Sequence, residues 1–591
     1  MSYSVLRVDL SRGEVRSEAV PQDWVDAFIG GKGLAAAYLY RELEAGVDPL
    51  SPENMLIFAW GPLVGLAPGA TRCCVATKSP HSGTFADSYS GGHFPSALRH
   101  ALPDHLALLI SGKAPEPVYL HVEGGTATLE SATELWGLNT KETCDRLEGY
   151  KVSCIGPAGE NGVTFATVSS DHGTHHAGRG GGGAVMGSKN LKAIAAKSSK
   201  KIPKEVRPLI AKHMSRLGKG EELASMRDGG TAQLVDVTNM VGILPTRNWT
   251  AGSFAGAEQI NLDQIKVNSL GKVACDLCGV ACGFDVQVKD GPYAGVRTGW
   301  GPEYETLGMA GSNPCLDDLS TVAKIASLCD ELGMDTISLG NCISFTMECA
   351  EKGLIDDPIR FGDRAGAVEL VEKIAFRQGV GDLLAGGTRR AAERIGKPEA
   401  LEAAVEVKHL ELPAYDPRGS FSMALSYATS DRGACHMRAW TVSGDAFGGD
   451  RDPYGTQGNA QAVIDEQHQN SLEWCLIGCN FTGYKVAYAL EWLSALGYDF
   501  DEETLRRVGE RTWNVTRLFN LREGFTRLDD HLPARLKRPL KDGGPAEGKA
   551  LSDALLDTML DEYYELRGWD AQGRPSVEKL SALGLDRLSG F

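Results

Sequence analysis

Three cysteines fall within eight residues, Cys275-Asp-Leu-Cys278-Gly-Val-Ala-Cys282, and no other stretch of this 591-residue chain restricts its fold as strongly. Thiols this close in sequence share one loop. A disulfide would use two of them and leave an odd thiol. A structural zinc site usually takes two close ligand pairs some distance apart, and no matching second pair follows. A cubane iron–sulfur cluster takes four thiolates, three of which often come from one tight loop. The order, x2 then x3, is the reverse of the loop found in radical enzymes that use S-adenosylmethionine. Iron–sulfur, zinc and neither all stay open on spacing, with iron–sulfur favoured. A fourth ligand must come from elsewhere, and Cys479 in WCLIGCNF and Cys435 in RGACHMRAW are the candidates.

The compartment bears on the choice. No basic segment followed by an apolar core opens the chain, so no signal peptide is expected, and no apolar run reaches the roughly 18–20 residues of a membrane span. A cytoplasmic setting is expected, where 14 cysteines argue for thiol or metal chemistry more than for disulfides. Cys73, Cys74, Cys144 and Cys154 read as small buried apolar residues. The formal charge of −17, from 60 basic and 77 acidic side chains, repels nucleic-acid phosphates.

Length predicts two to four domains. Residues 1–204 read as β-rich, with strands at Met55–Trp60, Cys73–Lys78, Val118–Leu129 and Val163–Ser169, a hairpin turning at Ser11–Gly13, and a glycine turn leading into a helix at Gly30–Tyr40. The Ser/Lys-rich stretch KSSKKIPKEV marks a boundary. Residues 205–408 carry helical periodicity at Ser320–Leu332, Ser338–Lys352, Ala365–Gln378 and Thr388–Ile395. Residues 409–591 continue with Gln461–Asn470 and Glu502–Phe519. The fold class expected is α+β, a β-rich N-terminal domain followed by two mainly helical ones.

Weaker chemical signals accompany the cysteines. The run RGGGGAVMG, Arg179–Gly187, lets backbone N–H groups approach an oxyanion while the arginine adds charge; it lacks the lysine-serine ending of a P-loop, and a flexible turn reads equally well. Arg72 in GATRCCVATKSP and Ser90-Gly91-Gly92 in ADSYSGGHF are of the same kind. GPEYETL sets Glu303 and Glu305 behind a Gly-Pro turn, and RGACH sets His436 in a turn-rich segment.

Taken together, CDLCGVAC, GPEYETLG, DELGMDTIS, LELPAYDPRG, ATSDRGACH and RGGGGAVMGSKNLKAI resemble the tungsten-dependent aldehyde:ferredoxin oxidoreductase family, in order and over nearly the whole chain. The resemblance implies one tungsten (or molybdenum, which uses the same pterin) held by two pyranopterins beside a [4Fe–4S] cluster. It implies a β-rich base carrying the bis-pterin, with two helical domains closing over it. Cys275, Cys278, Cys282 and Cys479 look like the cluster ligands. Arg72 and Arg179 look like contacts to pterin phosphates, and Tyr89 and Gly180 fall where backbone carbonyls reach a bridging Mg2+. Gly91, Gly92 and Arg438 fall beside the same cofactor. Asp330, Gly333 and Asp335 match one pterin motif. In the second motif the family's aspartate is replaced by Trp474, with Glu473 just before it; either Glu473 supplies the carboxylate or the second pterin is held differently.

The resemblance further implies oxidation of an aldehyde to a carboxylic acid, with Glu305 as general base and His436 as hydrogen-bond donor to the carbonyl oxygen. The blander alternative is that Glu305 caps a helix and His436 only orients the cofactor. Electrons would leave to a ferredoxin, or to iron–sulfur or flavin subunits; homo- and hetero-oligomers both remain open. Two rival readings remain: reduction of aromatic acyl-CoA thioesters on the same scaffold, and a non-catalytic iron–sulfur or zinc protein.

Overall fold

The computed structural model describes residues 3–198, 201–483 and 486–588. Its first sheet has six strands, in spatial order Glu14–Ala19, Ser4–Asp9, His105–Ser111, Leu56–Ala59, Cys73–Lys78 and Phe85–Ser90. The second also has six, in order His175–Ala177, Val168–Ser170, Lys151–Cys154, Leu191–Lys197, Val118–Glu123 and Thr126–Ser131. All twelve lie within residues 4–197, whereas every described helix longer than twelve residues begins at Arg207 or later. The architecture is therefore mixed, β-rich first and helical after. The central strands Leu56–Ala59 and Cys73–Lys78 are buried at every position, as strands covered on both faces must be. Cys73, Cys74, Cys144 and Cys154 are buried, as expected of small apolar residues.

Most expected elements appear within a few residues of their expected limits, including the opening hairpin and the helices Leu319–Leu332, Thr336–Glu351 and Glu502–Arg522. Three differences have local causes. The strand expected over Val118–Leu129 is a hairpin, because Gly124 and Gly125 turn the chain at φ 65° and 90°. The one expected over Val163–Ser169 survives only at Val168–Ser170. Its first half lends its backbone to a helix junction instead: Thr167 N–H donates to Gly333 O (2.9 Å) and Asp335 N–H to Phe165 O (3.2 Å). An unexpected three-stranded sheet, Ser269–Val273, Gly283–Gln287 and Arg297–Thr298, interrupts the helical region. The boundary stretch KSSKKIPKEV includes Ser199 and Lys200, which lie outside the described residues.

The glycine-rich Arg179–Gly187 run is neither a flexible turn nor an open anion cradle. A Cβ on Gly183 would stand 2.3 Å from Thr167 O, and one on Gly187 2.1 Å from Gly159 O. The glycines let helix Gly182–Ser188 press against neighbouring backbone. Gly31 does the same for helix Gly31–Glu42, where a Cβ would meet Trp474 O at 2.0 Å. Below that contact lies a fully buried ion cluster. Lys32 Nζ donates to Asp431 (2.5 Å) and Asp87 (3.3 Å), and Arg438 bonds the same two carboxylates. Charges this deep must be paired, so the cluster ties the N-terminal sheet to the segment that carries His436.

Candidate active site

The edge strands Phe85–Ser90 and His175–Ala177 of the two sheets come into contact. Against that seam the helical part of the chain encloses a chamber of about 340 Å³. Three other cavities are larger, at about 660, 710 and 600 Å³, but none touches Cys275, Cys278, Cys282, Cys479, Glu305 or His436.

The cysteine loop is the connection between strands Ser269–Val273 and Gly283–Gln287, which hold its ends in antiparallel register. Leu277 and Ala281 both take φ 49°, coiling the loop so that its sulfurs turn inward. Cys275, Cys278 and Cys282 line the chamber, and so does Cys479, which follows helix Asn459–Leu476 after Ile477 ends it in a left-handed conformation. Cys435 does not line it; its thiol accepts from Arg432 at 3.0 Å. Gly92 N–H donates to the Cys275 sulfur (3.3 Å) and Arg72 to the Cys479 sulfur (3.2 Å). None of the four is in a disulfide. Burial, and then the other thiols, pushes Cys275 up to about 12, and burial followed by the charges of Glu303 and the other thiols pushes Cys282 well above the usual thiol range. Among the described residues no three His, Cys, Asp or Glu side chains close on a single ion. Four crowded, unbridged thiols ringing a space, with N–H donors aimed at two of them, fit a polynuclear iron–sulfur cluster.

The motif Asp330–Asp335 sits where two helices meet. Gly333 ends helix Leu319–Leu332 at φ 77°, a conformation glycine adopts without strain, and Asp335 caps Thr336–Glu351 by accepting from Ile337 and Ser338 N–H. Asp330 and Asp335 line the chamber, with Arg72, Tyr89 and Gly91. Five other expected residues stand behind its wall. Arg179 is buried against the carbonyl oxygens of Ala434 and Glu411, with Asp335 at 3.4 Å. Gly180 O accepts from Ser79 (2.9 Å), Gly92 meets the chamber only through its N–H, and Gly333 forms the helix end. Arg438 belongs to the ion cluster, 4.6 Å from the Trp474 ring. Glu473 and Trp474 also lie off the chamber. Glu473 accepts from Asn480 (2.7 Å) and Gln469 (3.2 Å), and burial pushes it up to about 8, while Trp474 stacks on Tyr89 at 5.2 Å.

Glu305 and His436, 131 positions apart in the chain, face each other at the chamber. Glu305 projects from the short helix Tyr304–Leu307, with Ala414 N–H donating to its Oε2 (2.9 Å); His436 Nδ1 is 3.5 Å from its Oε1. Glu305 therefore does not serve as a helix cap. Only 17% and 14% of the two side chains is open, and that part faces the chamber. Burial pushes Glu305 up to about 8 and pulls His436 down to about 3, the latter aided by Arg179 and Arg432. At neutral pH the pair is an un-ionised carboxyl group beside a neutral imidazole. Perturbed groups converging on one enclosed space mark a functional site.

A family model for the N-terminal domain of aldehyde ferredoxin oxidoreductase matches residues 5–198, and one for domains 2 and 3 matches 209–585. The chain belongs to the aldehyde ferredoxin oxidoreductase family. Within the family, a tungsten-containing aldehyde ferredoxin oxidoreductase of Pyrococcus furiosus is 38% identical, with 98% of each chain covered. A relative of the same description from Thermococcus kodakarensis is 37% identical, again over 98% of each. The WOR-like subunit of an aliphatic sulfonate oxidoreductase from Pyrococcus furiosus is 30% identical, over 98% of this chain and 96% of its own. Among solved structures, the active-site complex BamBC of benzoyl coenzyme A reductase, bound to 1,5-dienoyl-CoA, has the same fold. Its TM-score is 0.83 at 24% identity, over 99% of this chain and 98% of that one. No described helix is long and apolar enough to cross a membrane.

Among the chamber residues that escaped sequence reasoning, His175 lies against the Cys275 sulfur (3.4 Å) and His176 against Asp330 (3.0 Å). Their only signal is a histidine doublet three residues ahead of Arg179, in a strand too short to show a period.

Proposed function

We propose that this chain oxidises aldehydes to carboxylic acids, RCHO + H2O → RCOOH + 2 e⁻ + 2 H⁺, and passes the electrons to a ferredoxin or to electron-transfer subunits. The observation that carries the reading is one chamber holding both the four cysteines and the facing Glu305–His436 pair. The relatives named for aldehydes are more similar (37–38%) than the one named for sulfonates (30%), which supports the aldehyde over the sulfonate.

The sulfurs of Cys275, Cys278, Cys282 and Cys479 would hold a [4Fe–4S] cluster. Asp330, Asp335 and Arg72, which line the chamber, would hold a tungsten bis-pyranopterin, with Arg179 orienting Asp335 from behind (3.4 Å). Once bound, these groups supply a two-electron acceptor and a one-electron outlet. The chain's own side chains manage protons and orientation. In its ionised form, Glu305 takes a proton from the water that attacks the aldehyde carbon. His436, neutral at working pH and tautomeric, presents an N–H to the carbonyl oxygen as negative charge grows there. Tyr415, 5.6 Å from the His436 ring, limits its tilt. The low exposure of the two side chains strengthens both interactions.

The test is metal analysis of protein purified without oxygen, followed by a dye-linked assay with acetaldehyde, benzaldehyde and benzoyl-CoA. About one tungsten and four irons per chain, with turnover of the aldehydes alone, is expected. Turnover of benzoyl-CoA alone would replace this reading with acyl-CoA reduction. Zinc without iron or tungsten would refute both.

A further inference from the structure

The two N–H groups nearest the Cys275 sulfur differ in kind. One is the backbone N–H of Gly92, at 3.3 Å. The other belongs to a side chain: His175 Nε2 lies 3.4 Å from the same sulfur. His175 is tightly framed. Trp300 packs edge-on against its ring, centroids 4.6 Å apart, and Trp300 is itself tethered through Nε1 to Glu303 at 2.9 Å. Thr174 Oγ1 stands 2.9 Å from Nδ1 of His175 and 2.8 Å from the carbonyl oxygen of Asp171.

The framing decides which nitrogen carries the proton. A sulfur bound to iron has no hydrogen of its own and can only accept, so Nε2 must be the donor. Nδ1 then needs a donor in turn, and the Thr174 hydroxyl supplies it by turning away from Asp171 O. Both acceptors are within reach, so no heavy atom moves. Thr174, His175 and Cys275 thus form a directed chain ending on one cluster ligand.

The imidazole is also part of a wall. His175, Thr174, Ala274 and Trp300 line the cysteine chamber on one face and a second cavity of about 310 Å³ on the other. That second cavity reaches the surface at His93, Lys151, His172 and Gly299, all exposed. The ring thus stands between the Cys275 sulfur and that second cavity.

We propose that His175 is a positioning residue that sets the reduction potential of the cluster, by donating from Nε2 to the Cys275 sulfur. This rests on the cluster reading above. Reduction adds negative charge to the cluster, and a hydrogen bond to a ligand sulfur stabilises the more negative state. Removing the donor lowers the potential.

Two variants separate the donor from the wall. His175→Phe keeps a ring in the wall but offers no N–H; His175→Gln keeps an N–H. Each is titrated against a redox scale with EPR detection of the reduced cluster, after iron analysis. At the wild-type midpoint, H175F should show a roughly tenfold lower ratio of reduced to oxidised cluster, about 59 mV for a one-electron couple, at unchanged iron content. H175Q should stay within about a third of that shift. An unshifted H175F, or an H175Q that shifts as far as H175F, overturns the proposal. If H175F does not retain iron, Thr174→Val carries the test. Without the hydroxyl, no donor holds Nδ1 unprotonated and the proton can move there from Nε2, so the shift should have the same sign and be smaller; no shift overturns the proposal. A wild-type protein without iron would sink the cluster reading itself, a result distinct from an unshifted variant.

Discussion

Nδ1 of His436 stands 3.5 Å from Oε1 of Glu305, and neither atom has a hydrogen-bond partner among the described residues. Leaving buried polar atoms unsatisfied costs about 1–3 kcal/mol each. The chain retains two such atoms facing each other beside the chamber. Glu305→Gln keeps the shape and the acceptor bonded to Ala414 but removes the base. Turnover should fall by roughly 10²–10⁴-fold while iron and tungsten content stay at wild-type levels. Full activity in this variant would disprove the role.

The pH dependence follows from the same carboxyl. Burial raises Glu305 to about 8, so its basic form is scarce at neutrality and grows with pH. kcat/KM should climb through about pH 8 to a plateau, and a profile flat from pH 6 to 9 would contradict this. Stability moves the other way. Below about 4.5, the ordinary glutamate value, folded and unfolded chains both hold the proton. Between there and about 8 only the folded chain holds it, so stability contributed by this group is lost as pH rises. Glu305→Gln should therefore melt at a higher temperature than wild type at pH 9, with the gap narrowing toward pH 5.

Two cysteines competed for the fourth ligand position. Cys479 lines the chamber and receives Arg72 on its sulfur; Cys435 sits outside it against Arg432. Cys479→Ala should lose the iron-dependent visible absorbance and most of the iron, whereas Cys435→Ala should keep both. The opposite pattern would exchange their roles.

Far from the chamber, Arg535 grips Glu348 with two nitrogens at 2.6 and 2.7 Å, and both side chains are 7% exposed. Burial opposes ionisation of Glu348, but Arg535, Lys352 and Asn248 outweigh it and hold the carboxyl down to about 2. The contact pins helix Thr336–Glu351, which begins at the Asp335 cap, to the turn Ala534–Lys537. Arg535→Met should destabilise the fold by about 3–5 kcal/mol, because it strands a buried charge. Stability from this carboxyl is present above about pH 4.5 and lost as pH falls toward 2. The variant should lose that part of the acid response, read from melting temperatures between pH 3 and 6.

Much of the local structure was legible without coordinates. The helices Leu319–Leu332 and Thr336–Glu351 have apolar periodicity, and a glycine and an aspartate punctuate their junction at Gly333 and Asp335. Strand Cys73–Lys78 matched its expected limits because both its faces are buried and every residue before the closing Lys78 is apolar or small. The sheet that carries the cysteine loop was not legible. Its strands are five, five and two residues long, and Ser269–Val273 is largely exposed, so no alternation of buried and open positions develops.

The sequence alone determined the loop of three thiols, the Glu305 and His436 motifs and the alternation of strand-rich and helix-rich regions, because spacing and periodicity are local properties. Tertiary structure alone decided that Cys479 rather than Cys435 faces the loop and that Glu305 meets His436. It also put Arg438 into an ion cluster and His175 on the Cys275 sulfur. Each of these depends on backbone segments far apart in the chain packing to within a few ångströms, and the residues themselves carry no mark of that distance.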